Sequence, residues 1–335
     1  MKKLLGTLLL LATSASAQAG TALDYDSSKQ FIDNMQSRHG FDAKKLEGLL
    51  GQAKIRKDIL KAISRPAERK AWHEYRPIFV TGSRIAGGVK FWKKHADTLA
   101  RAEKEYGVPA EIIVAIIGVE TRYGKHTGRY RVIDALSTLA FAYPPRSKFF
   151  TSELEHYLLM TRDEKLDPLE LTGSYAGAMG QPQFISSSYR SYAIDFDADG
   201  KRDIWKNPAD AIGSVANYFK RHGWKNGKPV TAMVDVTAVS DKQLIAGSRK
   251  LEPKFSLQQL KNKGVTNIPK SYSGELKSAM ICLEQEDGKE CWLGLKNFYA
   301  ITRYNHSALY AMAVYQLSQE IREQREAEIR NASLQ

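Results

Sequence analysis

Residues 109–124 read PAEIIVAIIGVETRYG, and this segment decides how the rest of the chain folds around it. Pro109 is suited to the first turn of an α-helix, and Glu111 is suited to the positive N-terminal end of that helix. Residues 112–119 are apolar on every side of the helix, which is typical of an element enclosed by others. The segment therefore predicts a central, buried helix.

Glu120 follows this apolar run and lies on the same helical stripe as Ile113, Ile116 and Ile117. It also lies in the last turn, where the exposed carbonyls of a helix repel an anion. Burial and repulsion both disfavour the ionised carboxylate, so the pKa of Glu120 is predicted to be raised. A carboxylic acid that stays protonated near neutral pH can protonate a glycosidic oxygen. The pattern leaves open that the side chain turns outward or pairs with Arg122.

A second carboxylate is harder to assign. Most glycosidases place one about 5–5.5 Å from the first for retention of configuration, or about 6.5–9.5 Å for inversion. Asp134 and Glu153 are the nearest candidates in the sequence. Asp134 lies inside an apolar segment, where it can cap a helix or pair, and Glu153 lies on the polar face of a predicted helix. Neither context demands catalysis.

Size and charge limit the class of protein. The chain has 335 residues, enough for two or three structural units, and a formal net charge of +13. That charge favours an anionic partner such as nucleic acid, lipid head groups or an acidic cell-wall polymer. The basic residues form no clustered tract and no nucleic-acid-binding module is recognisable, so nucleic-acid binding is not predicted. The seven histidines show no metal-ligand spacing, so a catalytic zinc is not predicted either.

The N-terminus has the pattern of a cleavable signal peptide. Lysines come first, an apolar run too short to span a bilayer follows, and Ala15-Ser16-Ala17 precedes Gln18. Residues 1–17 are therefore predicted to be removed on export, although an uncleaved N-terminal anchor also fits the pattern. No cysteine follows the cleavage site to accept a lipid. We expect a periplasmic protein without a stable membrane anchor.

Hydrophobic periodicity predicts a fold that is mainly α with a small β-rich insertion. Residues 24–106 have apolar positions three and four apart, which predicts a helical domain. Residues 107–227 are helical again and are broken by a glycine-rich loop and an acidic loop. Short alternating runs fill residues 228–296, and a long helix, which Asn305 is predicted to cap, ends the chain.

The two cysteines are predicted to form a disulfide. Cys282 and Cys291 flank Asp287-Gly288, a typical hairpin turn that would bring the two sulfur atoms across from each other. In an oxidising compartment a disulfide is favoured over two free thiols. This disulfide would stabilise the hairpin and take no part in catalysis.

Five motifs resemble those of a known family: ETRYG at 120–124, DALSTLAFAYPPR at 134–146, GSYAGAMGQPQF at 173–184, DAIGSVANYFKRHGW at 210–224 and ITRYNHSALYAMAVYQL at 301–317. Together they resemble the membrane-bound lytic murein transglycosylase B family of bacterial cell-wall enzymes, over nearly the whole mature chain. The resemblance implies a lysozyme-like catalytic core formed by residues 107–227 plus 297–310. It implies a flanking helical domain of residues 24–106 with the C-terminal helix 311–335, and a small β-rich domain of residues 228–296.

The resemblance also implies an activity. Such enzymes cleave the β-1,4 bond between N-acetylmuramic acid (MurNAc) and N-acetylglucosamine (GlcNAc) in peptidoglycan glycan strands without water, and leave 1,6-anhydromuramoyl ends. One glutamate acts first as acid and then as base, and by motif position it is Glu120. An intramolecular nucleophile held at high effective concentration can replace an activated water, which fits the missing second carboxylate. The residues implied to bind the glycan are Tyr75, Arg146, Ser174, Gln183, Phe184, Tyr218, Tyr304, Asn305 and Tyr310.

Some of these assignments have alternatives. Tyr218 and Tyr310 have the spacing of core residues and could serve packing alone. The chain also departs from the family pattern at two points. It lacks the lipid-accepting cysteine, which implies a soluble paralogue, and Ser186 replaces a usual proline, which leaves the geometry of that loop open.

The segment DFDADGKRDIW resembles the start of an EF-hand calcium loop. Aspartates take positions 1, 3, 5 and 9, and a backbone carbonyl would serve at position 7. Position 12, normally a glutamate, is Lys206, and the family resemblance points to Asp210 for closure. A structural Ca²⁺ is predicted in preference to a solvated acidic turn, because crowded carboxylates repel one another without a cation. No catalytic cofactor is predicted. The predicted ion-binding residues are Asp195, Asp197, Asp199, Lys201, Asp203 and Asp210.

Two other functions remain open from the sequence. A lysozyme-type hydrolase would use a second carboxylate and water, and its products would have reducing ends. A non-catalytic peptidoglycan-binding protein would keep the cleft without the chemistry. The sequence identifies no protein partner in cell-wall synthesis.

Overall fold

Helices dominate the fold, and small antiparallel sheets complete it. The computed structural model describes residues 25–64, 70–237, 239, 244–245 and 251–334. The predicted signal peptide lies outside the described residues. The helices are α1 (Tyr25–His39), α2 (Ala43–Leu50), α3 (Lys57–Ile63), α4 (Trp72–Phe79), α5 (Gly82–Lys94), α6 (Ala96–Tyr106), α7 (Ala110–Thr121), α8 (Val132–Ala142), α9 (Ser147–Asp163), α10 (Ser186–Tyr192), α11 (Pro208–Arg221), α12 (Leu257–Asn262), α13 (Lys296–Tyr304) and α14 (Ala308–Ser333). The strands are β1 (Tyr130–Arg131), β2 (Thr172–Gly173), β3 (Thr231–Val234), β4 (Phe255–Ser256), β5 (Lys277–Glu284) and β6 (Lys289–Gly294).

Helix α7 is the central element. Ten of its twelve residues are buried, and the two others are Glu111 and Glu120. Helices α5, α6, α11 and α14 pack against it. Each large aliphatic side chain that is fully buried contributes about 1.5–3 kcal/mol of hydrophobic free energy. The apolar run 112–119 therefore fixes α7 in the middle of the bundle.

Helix α14 contacts α4, α5, α7 and α13, and so joins the first part of the chain to the last. It begins at Ala308, because the Oγ of Ser307 accepts a hydrogen bond from the N–H of Tyr310 at 3.3 Å. The prediction that Asn305 caps this helix is wrong. Asn305 lies two residues earlier in extended backbone, so its side chain is not in the capping position.

The larger sheet has the strand order β3-β6-β5-β4, with every pair antiparallel. Cys282 on β5 lies opposite Cys291 on β6, and a disulfide joins them. One face of this sheet covers an apolar cluster of its own, which includes Leu260 and Leu293. The other face packs toward the main core through Ile281. The sheet lies within 228–296, and the limits of the three predicted domains stay predictions.

None of the described helices is both long enough and apolar enough to span a lipid bilayer.

Candidate active site

Glu120 lies in the last turn of α7 and meets the start of α14. The hydroxyl of Tyr310 donates a hydrogen bond to Glu120 Oε1 at 2.5 Å. Glu120 keeps part of its surface exposed, whereas Tyr310 is buried. Among the described residues no cation acts on the Glu120 carboxyl, so the alternative that it pairs with Arg122 is not realised.

The surroundings of Glu120 favour its neutral form. Burial raises the pKa of Glu120 from 4.5 to about 7, and the hydrogen bond from Tyr310 opposes that rise. Burial also raises the pKa of the Tyr304 and Tyr310 hydroxyls, and the charge of Glu120 adds to both. Glu120 is therefore placed to give up a proton near neutral pH, while the two tyrosines remain hydrogen-bond donors.

The backbone turns sharply directly after Glu120. Arg122, Tyr123 and Gly124 have φ angles of 49°, 63° and 81°. The left-handed conformation costs a residue other than glycine about 1–2 kcal/mol. Thr121 holds the turn, since its hydroxyl donates to the carbonyl of Gln181 at 3.0 Å and accepts from the N–H of Gly124 at 3.0 Å. These bonds fix the helix end that carries Glu120 against the glycine-rich loop.

A buried arginine, Arg84, also supports the last turn of α7. Arg84 Nε donates to the carbonyl of Gly118 at 3.0 Å, and one terminal nitrogen donates to the carbonyls of Ile78 and Phe79 at 2.6 and 3.1 Å. The hydroxyl of Tyr123 donates to the carbonyl of Arg84 at 2.6 Å. The guanidinium therefore links the end of α4 to the last turn of α7.

The two candidate second carboxylates are engaged elsewhere. Asp134 accepts two hydrogen bonds from the guanidinium of Arg131, at 2.7 and 3.0 Å, and one from the N–H of Lys54 at 2.9 Å. Glu153 accepts from the N–H of Ser187 at 3.0 Å and from its hydroxyl at 2.7 Å. Both carboxylates are buried. Each therefore joins two segments of the fold, and neither is free to activate a water.

Ser186, which replaces the family's proline, is the first residue of α10. The N–H of a first helical residue has no partner within its helix, which is why proline is favoured there. The next N–H, that of Ser187, is satisfied by Glu153. Serine at this position therefore removes no hydrogen bond from the start of α10.

Three of the predicted glycan-binding residues form one aromatic cluster. The ring centroids lie 5.7 Å apart for Phe184 and Tyr218, 6.0 Å for Phe184 and Tyr304, and 4.7 Å for Tyr218 and Tyr304. The hydroxyl of Tyr304 donates to the carbonyl of Pro182 at 2.7 Å, and that of Tyr218 to the carbonyl of Arg303 at 2.5 Å. Phe184 and Tyr218 are buried, whereas Tyr304 is partly exposed. The cluster anchors the glycine-rich loop against α11 and α13.

Ser174 and Gln183 lie in the glycine-rich loop and bond to its backbone. The Ser174 hydroxyl accepts from the N–H groups of Ala176 and Ala178 at 3.3 and 3.0 Å. Gln183 has a left-handed backbone, with a φ of 51°, and its Nε2 donates to the carbonyl of Thr127 at 3.1 Å. Both side chains therefore shape the loop that faces the end of α7.

The remaining three predicted residues differ in their distance from the carboxyl. Tyr75, on α4, lies close enough to Tyr310 to help raise the pKa of that hydroxyl. Arg146 is exposed, and its guanidinium lies 4.4 Å from the ring centroid of Phe149. Asn305 is exposed and follows Tyr304 at the end of α13. Among the described residues, neither Arg146 nor Asn305 forms a hydrogen bond or an ion pair with Glu120.

The acidic loop brings three carboxylates together. Oxygens of Asp195, Asp197 and Asp210 all lie within 4.8 Å of one another. Asp210 is fully buried, and its two oxygens accept 2.7 Å hydrogen bonds from the N–H groups of Phe196 and Asp203. Three converging carboxylate oxygens are a donor set that Ca²⁺ prefers. The loop therefore fits a calcium ion at this point.

The side chains of Asp199 and Asp203, two other predicted ligands, accept hydrogen bonds from backbone N–H groups of their own turns. Asp199 accepts the N–H of Lys201 at 2.8 Å, and Asp203 accepts the N–H groups of Trp205 and Lys206 at 2.9 Å each. The structure does not bring the Asp199 and Asp203 carboxylates into the group of three. Closure by Asp210, in place of the missing residue at position 12, stays a prediction, and its carboxylate lies close to those of Asp195 and Asp197.

Comparison with known proteins identifies the family. A family model described as "Transglycosylase SLT domain" matches residues 24–319. The chain is 45% identical over 327 residues to membrane-bound lytic murein transglycosylase B of Escherichia coli strain K12, a match that covers 94% of this chain and 88% of that protein. The chain belongs to the lytic murein transglycosylase B family.

Solved structures of lytic transglycosylases share the fold. Soluble lytic transglycosylase SltB1 of Pseudomonas aeruginosa matches with a TM-score of 0.83 and 52% identity, covering 89% of this chain and 99% of that chain. Escherichia coli Slt35, solved in complex with calcium, matches with a TM-score of 0.81 and 47% identity, covering 89% and 93%. The predicted fold class, mainly α with a lysozyme-like core, is therefore confirmed.

Three residues that support Glu120 in this member of the lytic murein transglycosylase B family were missed by sequence reasoning. They are Arg84, Thr121 and Tyr123, whose hydrogen bonds fix the last turn of α7. Thr121 and Tyr123 lie within the motif ETRYG and could have been singled out there. Arg84 gives no such signal, because its role depends on carbonyls that only the tertiary fold brings together.

Proposed function

We propose that this protein is a lytic transglycosylase that cleaves the β-1,4 bond between MurNAc and GlcNAc in peptidoglycan, with Glu120 as its single acid and base. The observation that carries the proposal is the environment of the Glu120 carboxyl, which burial holds near a pKa of about 7 beside the Tyr310 hydroxyl. Asp134 and Glu153 are bound to other parts of the fold, which disfavours a hydrolase with two carboxylates.

The reaction follows from one group that acts twice. Protonated Glu120 gives its proton to the glycosidic oxygen as the bond to C1 of the muramoyl sugar breaks. The resulting carboxylate then takes the proton of the muramoyl C6 hydroxyl as that oxygen attacks C1. The product is a 1,6-anhydro ring, and no water is consumed. Tyr310 stabilises the carboxylate between the two steps, because a hydrogen bond to the charged form favours it.

We assign the glycan contacts in two groups. Tyr304 and Tyr75, which lie beside Glu120 and Tyr310, would offer their rings to sugars, whereas the buried Tyr310 would act through its hydrogen bond to Glu120. Arg146 and Asn305 are exposed, where they can meet peptide carboxylates and acetamido groups. The buried or loop-bonded residues shape the cleft from behind, and these are Ser174, Gln183, Phe184 and Tyr218.

We propose that a structural Ca²⁺ is held by Asp195, Asp197 and Asp210, with the backbone of Lys201 and the side chains of Asp199 and Asp203 as further candidates. The ion would relieve the repulsion among the carboxylates and hold the loop against the start of α11. A ligand that binds only the native state stabilises it by about 2.7 kcal/mol at a hundredfold excess over its dissociation constant. We expect calcium to raise Tm, Asp197→Asn to abolish that rise, and Asp33→Asn, a control on the exposed surface of α1, to preserve it.

The domain limits and the location are also proposals. We propose that residues 107–227 plus 297–310 form the catalytic core, that 24–106 with 311–335 form the helical domain and that 228–296 form the β-rich domain. Export by a signal peptide of residues 1–17 would place the enzyme in the periplasm beside its substrate. The positive net charge would favour an anionic wall.

Mass spectrometry of the products tests the function. Purified protein should release muropeptides with 1,6-anhydro ends from sacculi, one water lighter than hydrolytic products. Reducing ends would instead identify a hydrolase. If the folded protein binds sacculi but releases no muropeptides, it is a non-catalytic binding protein.

A further inference from the structure

A groove of about 590 Å³ lies between the four-stranded sheet and the helices α4 and α14. None of the residues assigned above to the reaction or to glycan contact lines it. The groove is lined on the sheet side by Met233, Gln285 and Trp292, and on the helix side by Arg76, Tyr315 and Gln316.

The sheet wall is an apolar row that opens toward solvent. Met233, Trp292 and Ile281 lie directly opposite one another on β3, β6 and β5, so their side chains share one face. Ile281 is buried against the main core, Trp292 is partly exposed, and Met233 is 55% exposed. The row therefore presents a partly open indole and a free thioether at the edge strand.

Hydrogen bonds hold the indole ring in place. Trp292 Nε1 donates to Glu290 Oε1 at 2.5 Å, and Gln285 Nε2 donates to Glu290 Oε2 at 2.9 Å. Both oxygens of Glu290 are thereby engaged. The carbonyl oxygen of the Gln285 side chain stays available as an acceptor, since the described residues supply no donor to it.

Hydrogen bonds also fix the side chains on the helix side of the groove. Arg76 Nε donates to Gln316 Oε1 at 2.6 Å, and a terminal nitrogen of Arg76 lies 3.5 Å from Glu320. The Nε2 group of Gln316 has no acceptor among the described residues, so it remains a donor. The groove thus offers a fixed aromatic face, an amide acceptor on one wall and an amide donor on the other.

This combination matches an N-acetylated amino sugar. The apolar face of a pyranose ring packs on an aromatic ring, and an acetamido group needs both a donor and an acceptor. An anionic ligand is disfavoured, because the lining has three carboxylates, those of Glu290, Glu320 and Glu323, and a single cation, Arg76. We infer that the groove is a second glycan-binding site, which holds an uncharged N-acetylated sugar of a strand outside the catalytic cleft.

The position of the groove connects it with the cleft. On α4, Tyr75 lies near Tyr310 and Arg76 lines the groove, and on α14, Tyr310 bonds to Glu120 and Tyr315 lines the groove. Tyr315 lies five positions after Tyr310 on α14, about 7.5 Å farther along the helix axis. A strand that occupies both sites binds more tightly through effective concentration. The identity of the glycan as peptidoglycan rests on the proposed function, whereas sugar binding in the groove does not.

Met233 provides a local probe of this site. The five other methionines in the described chain are no more than 1% exposed, and they are Met35, Met160, Met179, Met280 and Met312. Full-length protein carrying ¹³C-labelled methionine methyl groups is titrated with a tetrasaccharide of GlcNAc, and Met233→Leu identifies the signal. We expect the Met233 signal to shift and saturate. Trp292→Ala should weaken the affinity at Met233 about 2- to 12-fold, the effect of losing one aromatic contact.

The controls separate the site from general effects. Ile329→Ala changes an apolar residue with 52% exposure elsewhere on α14 and should leave the titration unchanged. Gln316→Ala, which keeps the sheet wall intact, should also weaken binding and replaces Trp292→Ala if that variant does not fold. A Met233 signal that stays fixed at every tetrasaccharide concentration tested would overturn the inference. A shift with trilysine but not with the tetrasaccharide would assign the groove to cationic peptides instead.

The outcome is independent of the proposed function. Release of anhydro products by the wild type tests that function, and it does not depend on Met233. If no anhydro products form but the Met233 signal still shifts with the sugar, the proposed activity is rejected and the second glycan-binding site is retained. If anhydro products form and the Met233 signal does not shift, the activity is retained and the second site is rejected.

Discussion

Two glutamates lie close to the core, Glu120 at the end of α7 and Glu153 where α9 packs on α10, and their hydrogen bonding differs. Glu153 is buried and accepts two hydrogen bonds from Ser187, one of them from a backbone N–H. Glu120 accepts one, from the Tyr310 hydroxyl, and keeps part of its surface open. The two hydrogen bonds from Ser187 give the Glu153 carboxylate a structural role at the start of α10. Burial with a single hydrogen-bond donor leaves Glu120 able to exchange a proton.

The largest effect expected from this contrast is on activity. Glu120→Gln removes the proton that the leaving group needs, and general acid–base catalysis contributes about 10²–10⁴-fold. We expect turnover of purified sacculi, followed by release of muropeptides, to fall by that factor. Unchanged lysis by Glu120→Gln would remove Glu120 from the mechanism.

The same variant should gain stability at high pH. The pKa of Glu120 is raised from 4.5 to about 7, so the folded state binds more protons than the unfolded state between these values. Folding stability contributed by this group is therefore lost as pH rises through 7, and the loss is absent below 4.5. We expect Glu120→Gln to stabilise the protein by about 3 kcal/mol at pH 8 and by nothing at pH 4, in urea unfolding at both pH values. Equal shifts at the two pH values would contradict the raised pKa.

Glu153→Gln should behave in the opposite way. It keeps the size of the side chain but replaces one acceptor with an amide group that cannot accept from Ser187. Loss of a buried hydrogen bond costs about 1–3 kcal/mol, so we expect a lower free energy of unfolding at neutral pH, measured by urea unfolding. Activity per folded molecule should stay near that of the wild type. A thousandfold loss of activity without a loss of stability would reopen the case for a second catalytic carboxylate.

Tyr310→Phe should give the smallest effect. The Tyr310 hydroxyl lowers the pKa of Glu120 against the effect of burial, so its removal raises that pKa further. We expect kcat/KM to fall about tenfold, the equivalent of one hydrogen bond to a charged group, and its alkaline limb to move to higher pH. Tyr218→Phe is the matched control, since its hydroxyl bonds to the carbonyl of Arg303 and not to Glu120. A pH profile that moves equally in both variants would argue against a direct role for Tyr310.

The central helix and its glutamate could be predicted from the sequence because both depend on local pattern. An apolar run with a carboxylate at its end determines which residues are buried and which are not. The partner of Glu120 lies 190 positions away, so periodicity alone left Tyr310 equally suited to packing, and only the family resemblance pointed to it. The roles of Asp134 and Glu153 stayed open, because they depend on Lys54 and Ser187, which only the tertiary fold brings close.

Two further details show the limits of local rules. Asn305 has the right side chain for a helix cap, but Ser307 takes that position because the backbone remains extended through both residues. The calcium-loop pattern gives Asp195, Asp197 and Asp199 equal weight, yet Asp199 bonds to its own turn while Asp210, from the next helix, completes the group. In both cases the competing choice satisfies backbone groups that the sequence pattern does not reveal.

The most direct test of the account is the titration of Glu120 in the unliganded protein. Carbon-13 NMR of labelled glutamate carboxyls, with Glu120→Gln to assign the signal, gives its pKa without any substrate. We expect the Glu120 carboxyl to titrate with a pKa of about 7. A transition near 4.5, the value of an ordinary glutamate, would contradict it, because the carboxyl would then hold no proton to give at neutral pH.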